Sequence, residues 1–318
     1  MFGARGFVLM IVMWLVVGLA VLAVGMSRAA GQQVRHWAQL RDRAVCGDLL
    51  LGALRVASGV VAADADRSMD ARHELWAQPG EMTSGDVGDG VGGRCRYAIV
   101  DEQARLSLNT ASEEALSRLP EWDRQMAVSV MAWRGDASLD AATLEEEDRH
   151  YGGDAAGDWR LPYPRKGASL ESVEELWLVR GMTAERFAGA ESLVTVFGDG
   201  AVNINTASSE VLELVGVPGD VARGVVEHVA GPDGVVATDD DQPIRGAGDV
   251  VMESGMDHEA AAQLQQLFNR RVLGGQTNAF RVTVSAWMED EPRSVRRAVA
   301  VVARQGEEAR CDTFRYER

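Results

Sequence analysis

RGFVLMIVMWLVVGLAVLAVGM, Arg5 to Met26, is the stretch on which the reading of this chain turns. A basic residue and a Gly-Phe pair lead into twenty uncharged residues, Phe7 to Met26. At about 1.5 Å rise per residue such a helix spans roughly 30 Å, the thickness of a bilayer core. The apolar core of a secretory signal is shorter, about 7–15 residues. Ser27-Arg28-Ala29 would serve as an export cleavage site, so this stretch alone fits both a disposable signal and a retained anchor. Beyond it there is no proline or glycine-rich break before Ser58-Gly59. Trp37, Leu40, Ala44, Leu51 and Leu54 recur at helical steps. The pattern predicts one helix from Phe7 to Ala57, apolar all round and then one-sided. A continuing helix favours retention.

The chain has 318 residues, 46% of them hydrophobic, enough for one large or two ordinary domains. Its net charge of −16 is unevenly placed. Residues 1–60 hold six arginines against Asp42 and Asp48, so the remainder carries −20. That acidic body argues against a nucleic-acid partner, whose phosphates need Lys and Arg. Arg5 before the apolar run places the N-terminus in the cytoplasm and the body across the membrane. Of three cysteines, Cys95 and Cys311 flank strand-like segments and are the pair expected to form one bridge, while Cys46 sits on the stem. No CxxC or Cys/His ligand spacing points to zinc.

Gly80–Gly93 reads as a glycine- and acid-rich loop, and CRYAIVDEQARLSLNTA after it as a strand entering a new unit. Near the end, FRVTVSAWMEDEPRSVRRAVAVVAR alternates on both sides of a turn. It predicts a hairpin with Phe280, Val282, Val284 and Ala286 on one face, seeking the one-sided half of the N-terminal helix as partner. Between them lies a duplication. LSLNTASEEALSRLPEW starts at Leu106 and VNINTASSEVLELVGVP at Val202, a step of 96. Thr110 and Thr206 stand where helix N-caps belong, with Glu113 and Ser209 three residues on. Each copy is followed by a second helical unit carrying Gly-Met, Ser172–Phe187 and Gly246–Leu264.

The second copy resembles helix-hairpin-helix units, which hold a phosphate on a glycine hairpin. Gly216 and Gly219 would supply it, but the first copy lacks them and residues 201–230 carry one arginine against four acids. A packing scaffold is the better reading. Asp239, Asp240 and Asp241 in Gly231–Gln242 could gather round calcium, a hard cation that takes oxygen ligands, although no DxDxDG pattern is present. Tyr151–Trp159 is a weaker version of the same idea. The five histidines have no nucleophile signature beside them, and no GxSxG, HExxH, P-loop or dinucleotide fingerprint occurs. Trp37, Trp122, Trp133, Trp177 and Trp287 read as core. The inventory reads as non-enzymatic.

Gly6-Phe7 before an apolar helix resembles the leader of type IV pilins and pseudopilins. With DEQARLSLNTA, SVEELWLVRGMTAERF and GDGAVNINTAS, the whole chain is similar to the K-type minor pseudopilins of type II secretion. The resemblance implies an α+β, pilin-like fold: a long N-terminal helix on an antiparallel sheet, carrying an inserted all-helical domain of two similar halves (helix-hairpin-helix or SAM-like). It divides the chain into a leader 1–6, a membrane segment 7–26, a stem with first strands 27–107, an insert 108–275 and a closing hairpin 276–318. It further implies cleavage between Gly6 and Phe7 by a prepilin peptidase, methylation of Phe7, and a single-pass bacterial inner-membrane protein with a periplasmic body. Its partners would be the I- and J-type minor pseudopilins and the major pseudopilin, at the tip of a pseudopilus. Most pilin-like subunits carry Glu at the fifth mature position; here it is Ile11, and K-type members characteristically lack the Glu. The alternative is a membrane-anchored helix-hairpin-helix protein for DNA uptake.

Overall fold

The computed structural model describes residues 3–64, 66–83, 92–153, 160–246, 248–249, 258–289, 291–306 and 308–317. Helix α1 (Gly3–Ala62) is continuous over 60 residues, five longer at its C-terminal end than the periodicity predicts. The described side chains of its first half are exposed. Its second half lies on a sheet of five antiparallel strands. These are β1 (Gly80–Thr83), β2 (Gly93–Asp101), β7 (Ala279–Met288), β8 (Glu291–Gln305) and β9 (Glu308–Glu317), in that spatial order.

The alternation read from the sequence is what closes this layer. Phe280, Val282, Val284 and Ala286 are all buried, and they meet Leu49, Leu50, Ala53 and Ala57 of α1. Trp76 stands edge-on to Phe280 at 5.1 Å between ring centroids. Each large aliphatic or aromatic group so buried contributes about 1.5–3 kcal/mol. The helix face differs from the expected one. Trp37, Leu40, Ala44 and Leu51 are exposed, and of the predicted stripe only Leu54 joins the core. Periodicity finds apolar stripes but does not say which one meets the sheet, and α1 carries two on opposite sides.

The closing hairpin is also larger than expected, because β9 adds a third strand beside β8. Part of the anticipated loop at Gly80 is the edge strand β1. Gly80 lies under the Tyr97 ring, where a Cβ would come within 2.1 Å of it. Residues 84–91 of that loop, most of Tyr151–Trp159 and much of Gly246–Leu264 lie outside the described residues.

Everything from Glu102 to Asn278 is inserted between β2 and β7, which are neighbours in the sheet. This insert holds α2 (Glu113–Ser117), α3 (Arg124–Trp133), α4 (Ala141–Asp148), α5 (Ala184–Ala190), α6 (Ser209–Leu214), α7 (Gly219–Val229) and α8 (His258–Asn269). Its duplication is structural. In the first half β3 (Leu106–Ser107) pairs in parallel with β4 (Val194–Thr195). In the second, β5 (Val202–Asn203) pairs likewise with β6 (Leu273–Gly274). The helix caps are Ser112 and Ser208, whose hydroxyls accept from Ala115 and Val211, not the expected Thr110 and Thr206. Thr206 sits in the turn before, where its N–H and that of Ala207 are taken by the Asn203 carbonyl, so the helix starts later. Trp122 and Trp133 are core as predicted; Trp37 and Trp177 are exposed.

Candidate functional site: an apolar anchor and a polar joint

Two regions stand out, one on α1 and one where the insert meets the sheet. Among the described residues α1 is the one helix long and apolar enough to cross a membrane. Phe7 is 63% exposed, and Ile11, Trp14 and Leu22 are exposed with it. The Gly6–Phe7 bond lies in the second turn of this helix. Further along, Trp37, Leu40, Ala44 and Leu51 continue an apolar ridge on the side facing away from the sheet. So α1 has one face for its own sheet and another left open.

The joint is built from the duplicated sequence. Asn109 and Asn205, 96 apart, do the same task. Asn109 accepts from Leu170 N at 2.8 Å and donates to Leu170 O at 3.0 Å. Asn205 accepts from Ile244 N at 2.8 Å and donates to Ile244 O at 2.9 Å. Each side-chain amide mimics a strand partner and pins one loop residue. Neighbouring residues then tie the insert to the sheet. Asp101, at the end of β2, accepts from Gln103 N, Asn203 Nδ2 and Thr206 Oγ1 at 2.7, 2.8 and 2.5 Å. Burial pushes the Asp101 carboxyl up, against the pull of these donors. Gln103 reaches Asp199 at 2.7 Å and accepts from Asn278 N at 2.8 Å. Asn203 Nδ2 also donates to the Asp70 carbonyl at 2.9 Å.

Asp64, Asp70 and Glu74, where the chain leaves α1, form the one set of carboxylates among the described residues close enough together to share a cation. Arg304 already stands among them, 2.7 Å from Asp64 and 2.5 Å from Asp70. Burial pushes Asp70 up to about 6 and Glu74 up to about 7, so the joint holds protons as well as the guanidinium. Asp239, Asp240 and Asp241, the expected calcium ligands, are not a set close enough together to share a cation in this structure. Asp240 accepts from Asp233 N and Thr238 Oγ1, and Asp241 from the N–H groups of Ala237 and Thr238. The loop uses the carboxylates to close itself.

The expected Cys95–Cys311 bridge is likewise overturned. Cys95 is buried opposite Ala286 under α1, whereas Cys311 is exposed on β9 opposite Val302. Strands β7 and β8 lie between them, which alone separates the two backbones by about 14 Å at a strand spacing of about 4.8 Å, and Cys95 is level with Arg296 of β8 whereas Cys311 is level with Val302, so they are further apart still. A disulfide needs Cα atoms within about 7 Å. At the glycine hairpin, Gly219 faces the Glu213 carboxylate, whose Oε1 would lie 2.9 Å from a Cβ there. An acid thus stands where a phosphate would approach.

With this geometry the chain was compared with known proteins. No family model matches it, and no curated protein does. Among solved structures, a chain in the GspK-GspI-GspJ complex from the enterotoxigenic Escherichia coli type 2 secretion system superposes with a TM-score of 0.57. The match is 15% identical and covers 92% of this chain and 99% of that one. The fold is pilin-like, with a helical insert. That frame accounts for the five-stranded sheet and the long helix α1 that lies on it. Sequence reading missed Asn109 and Asn205, although their signal was present in the repeat at a step of 96, and it missed Gln103, which lies ahead of the repeat and meets Asp199 at that step.

Proposed function

We propose that this chain is a K-type minor pseudopilin. It enters the bacterial inner membrane through Phe7–Met26 with its body in the periplasm, loses residues 1–6 to a prepilin peptidase, and takes a place at the tip of a type II secretion pseudopilus. There it initiates assembly with I- and J-type minor pseudopilins above the major pseudopilin, and its work is mechanical, not catalytic.

The observation that carries this reading is the two-faced helix α1. One face is buried on its own sheet, and the opposite ridge of Trp37, Leu40 and Leu51 is open and continuous with the apolar anchor. A helix like this suits packing among equivalent helices. The solved structure of similar fold is itself a complex of three proteins, which supports partners of that kind. Ile11 supports the tip. A carboxylate inside the bilayer needs a cation, in this superfamily the N-terminal amine of a subunit already assembled. A subunit with none ahead of it has no use for one. The DNA-uptake alternative fits less well, since Glu213 faces the hairpin that would hold a phosphate.

Mass spectrometry of membrane-extracted protein should find a mature chain beginning at N-methylated Phe7, and Gly6→Trp should leave the precursor intact. A chain beginning at Ala30 would overturn the reading in favour of an ordinary export signal.

A further inference from the structure

A cavity of about 630 Å3 opens where the two halves of the insert meet. Arg118, Arg270 and Arg271 line it, together with Gln263, Gln266 and Thr110. Most of the insert's other arginines are neutralised on site: Arg124, Arg134, Arg165, Arg180, Arg186 and Arg245 each pair with a carboxylate. The three at the cavity have no carboxylate partner among the described residues. In a chain with 48 acidic residues and a net charge of −16, three unneutralised guanidiniums on one cavity are out of keeping.

The backbone adds a second, independent observation. Helices α3, α6 and α8 end in the same way. The third residue past the helix donates back to a carbonyl five positions earlier, and the residue just before that donor takes a left-handed φ. At α3 that residue is Gly135, with φ 72°, and at α6 Gly216, with φ 99°. At α8 it is Arg271, with φ 56°. Glycine takes this position without strain and arginine does not. The strained residue is also one whose side chain lines the cavity. Gln266 on α8 and Arg270 just past its end, four apart, put further donors on the cavity, and Gln263 Nε2 donates to the Gly216 carbonyl at 3.2 Å beside them.

From this the geometry points to a binding site for an acidic polypeptide segment of another protein. Guanidinium groups take carboxylates in a planar, two-point fashion, and the glutamines can meet peptide groups. The cavity has an apolar floor of Leu106, Val215 and Val272, which suits side chains between the carboxylates. Glu114 and Asp199 at its edge admit a few negative charges and repel a dense polyanion such as a nucleic acid. The site is independent of where the subunit sits in a filament.

The test uses the full chain in detergent and a fluorescein-labelled hexapeptide of alternating Glu and Leu, read by anisotropy. The peptide should bind, and its Gln-for-Glu version should bind about tenfold more weakly or worse. Arg270→Gln combined with Arg271→Gly should cost a similar factor, while Arg149→Gln and Arg223→Gln, which lie elsewhere, should cost nothing. Arg271→Gly alone separates binding from structure, because it should raise the melting temperature while weakening the peptide. The inference fails if the Glu-Leu peptide does not bind at about 1 mM. It fails equally if the Arg149 and Arg223 variants weaken binding as much, or if a labelled oligonucleotide binds more tightly than the peptide.

Discussion

Asn203 carries more of the fold than its size suggests. It is fully buried, donates to both the Asp70 carbonyl and the Asp101 carboxylate, and accepts from Asn205 N at 3.1 Å. Asn203→Leu keeps the heavy-atom shape but takes their partner from two buried groups, the Asp70 carbonyl and Asn205 N–H, and one of three donors from Asp101. Each group left unpaired costs about 1–3 kcal/mol, so the urea midpoint should fall by an amount corresponding to about 2 kcal/mol or more. Arg271 presents the opposite case. A left-handed non-glycine residue costs about 1–2 kcal/mol, and glycine's extra freedom in the unfolded chain returns about 0.4–1 kcal/mol of that. Arg271→Gly should therefore stabilise the chain by up to about 1 kcal/mol in the same urea titration. The cysteines make a third test at this scale. Only Cys311 should react with a maleimide in the native protein, with Cys46 and Cys95 reacting after denaturation, since those two are buried.

At the scale of elements, the carboxylates between α1 and the sheet should make stability depend on pH. Glu74 is raised to about 7 from an unfolded value of about 4.3, and Asp70 to about 6 from about 3.9. Folding thus favours their protonated forms. Their contribution is complete below about pH 4 and is lost as pH rises through 6 to 7. Gln at position 74 can still accept from Ala71 N and Trp76 Nε1, which Glu74 holds at 2.8 Å. Glu74→Gln should therefore gain on the wild type between pH 5 and pH 8, as melting curves at the two pH values would show. Elements dominated by one local signal were legible in the sequence. The twenty-residue apolar run gave the first half of α1, strict alternation gave β2 and β7, and the step of 96 gave the duplication. What long-range packing decides was not legible. Which ridge of α1 meets the sheet, whether three adjacent aspartates face one another or their own loop, and how far Cys95 lies from Cys311 all depend on contacts between distant segments.

For the whole molecule, one feature of the topology bears on time as well as shape. The insert begins and ends on adjacent strands, and β2 pairs Asp101 with Phe280, 179 positions along the chain. Closing so long a loop from a disordered chain carries an entropy cost that grows with the logarithm of its length. The insert removes most of it, because once folded it holds Gln103 and Asn278 within 2.8 Å of each other. By that logarithmic law, reducing an open loop of this length to a short one saves roughly 2–3 kcal/mol of closure entropy. Assembly therefore has a preferred order. The insert closes shorter loops than the sheet, Leu106 to Val194 and Val202 to Leu273 against Asp101 to Phe280, so the order expected is the insert first and then the sheet across the two ends it presents. Until then the open stem and unpaired strands are exposed together, so folding speed sets how long they remain open to wrong partners.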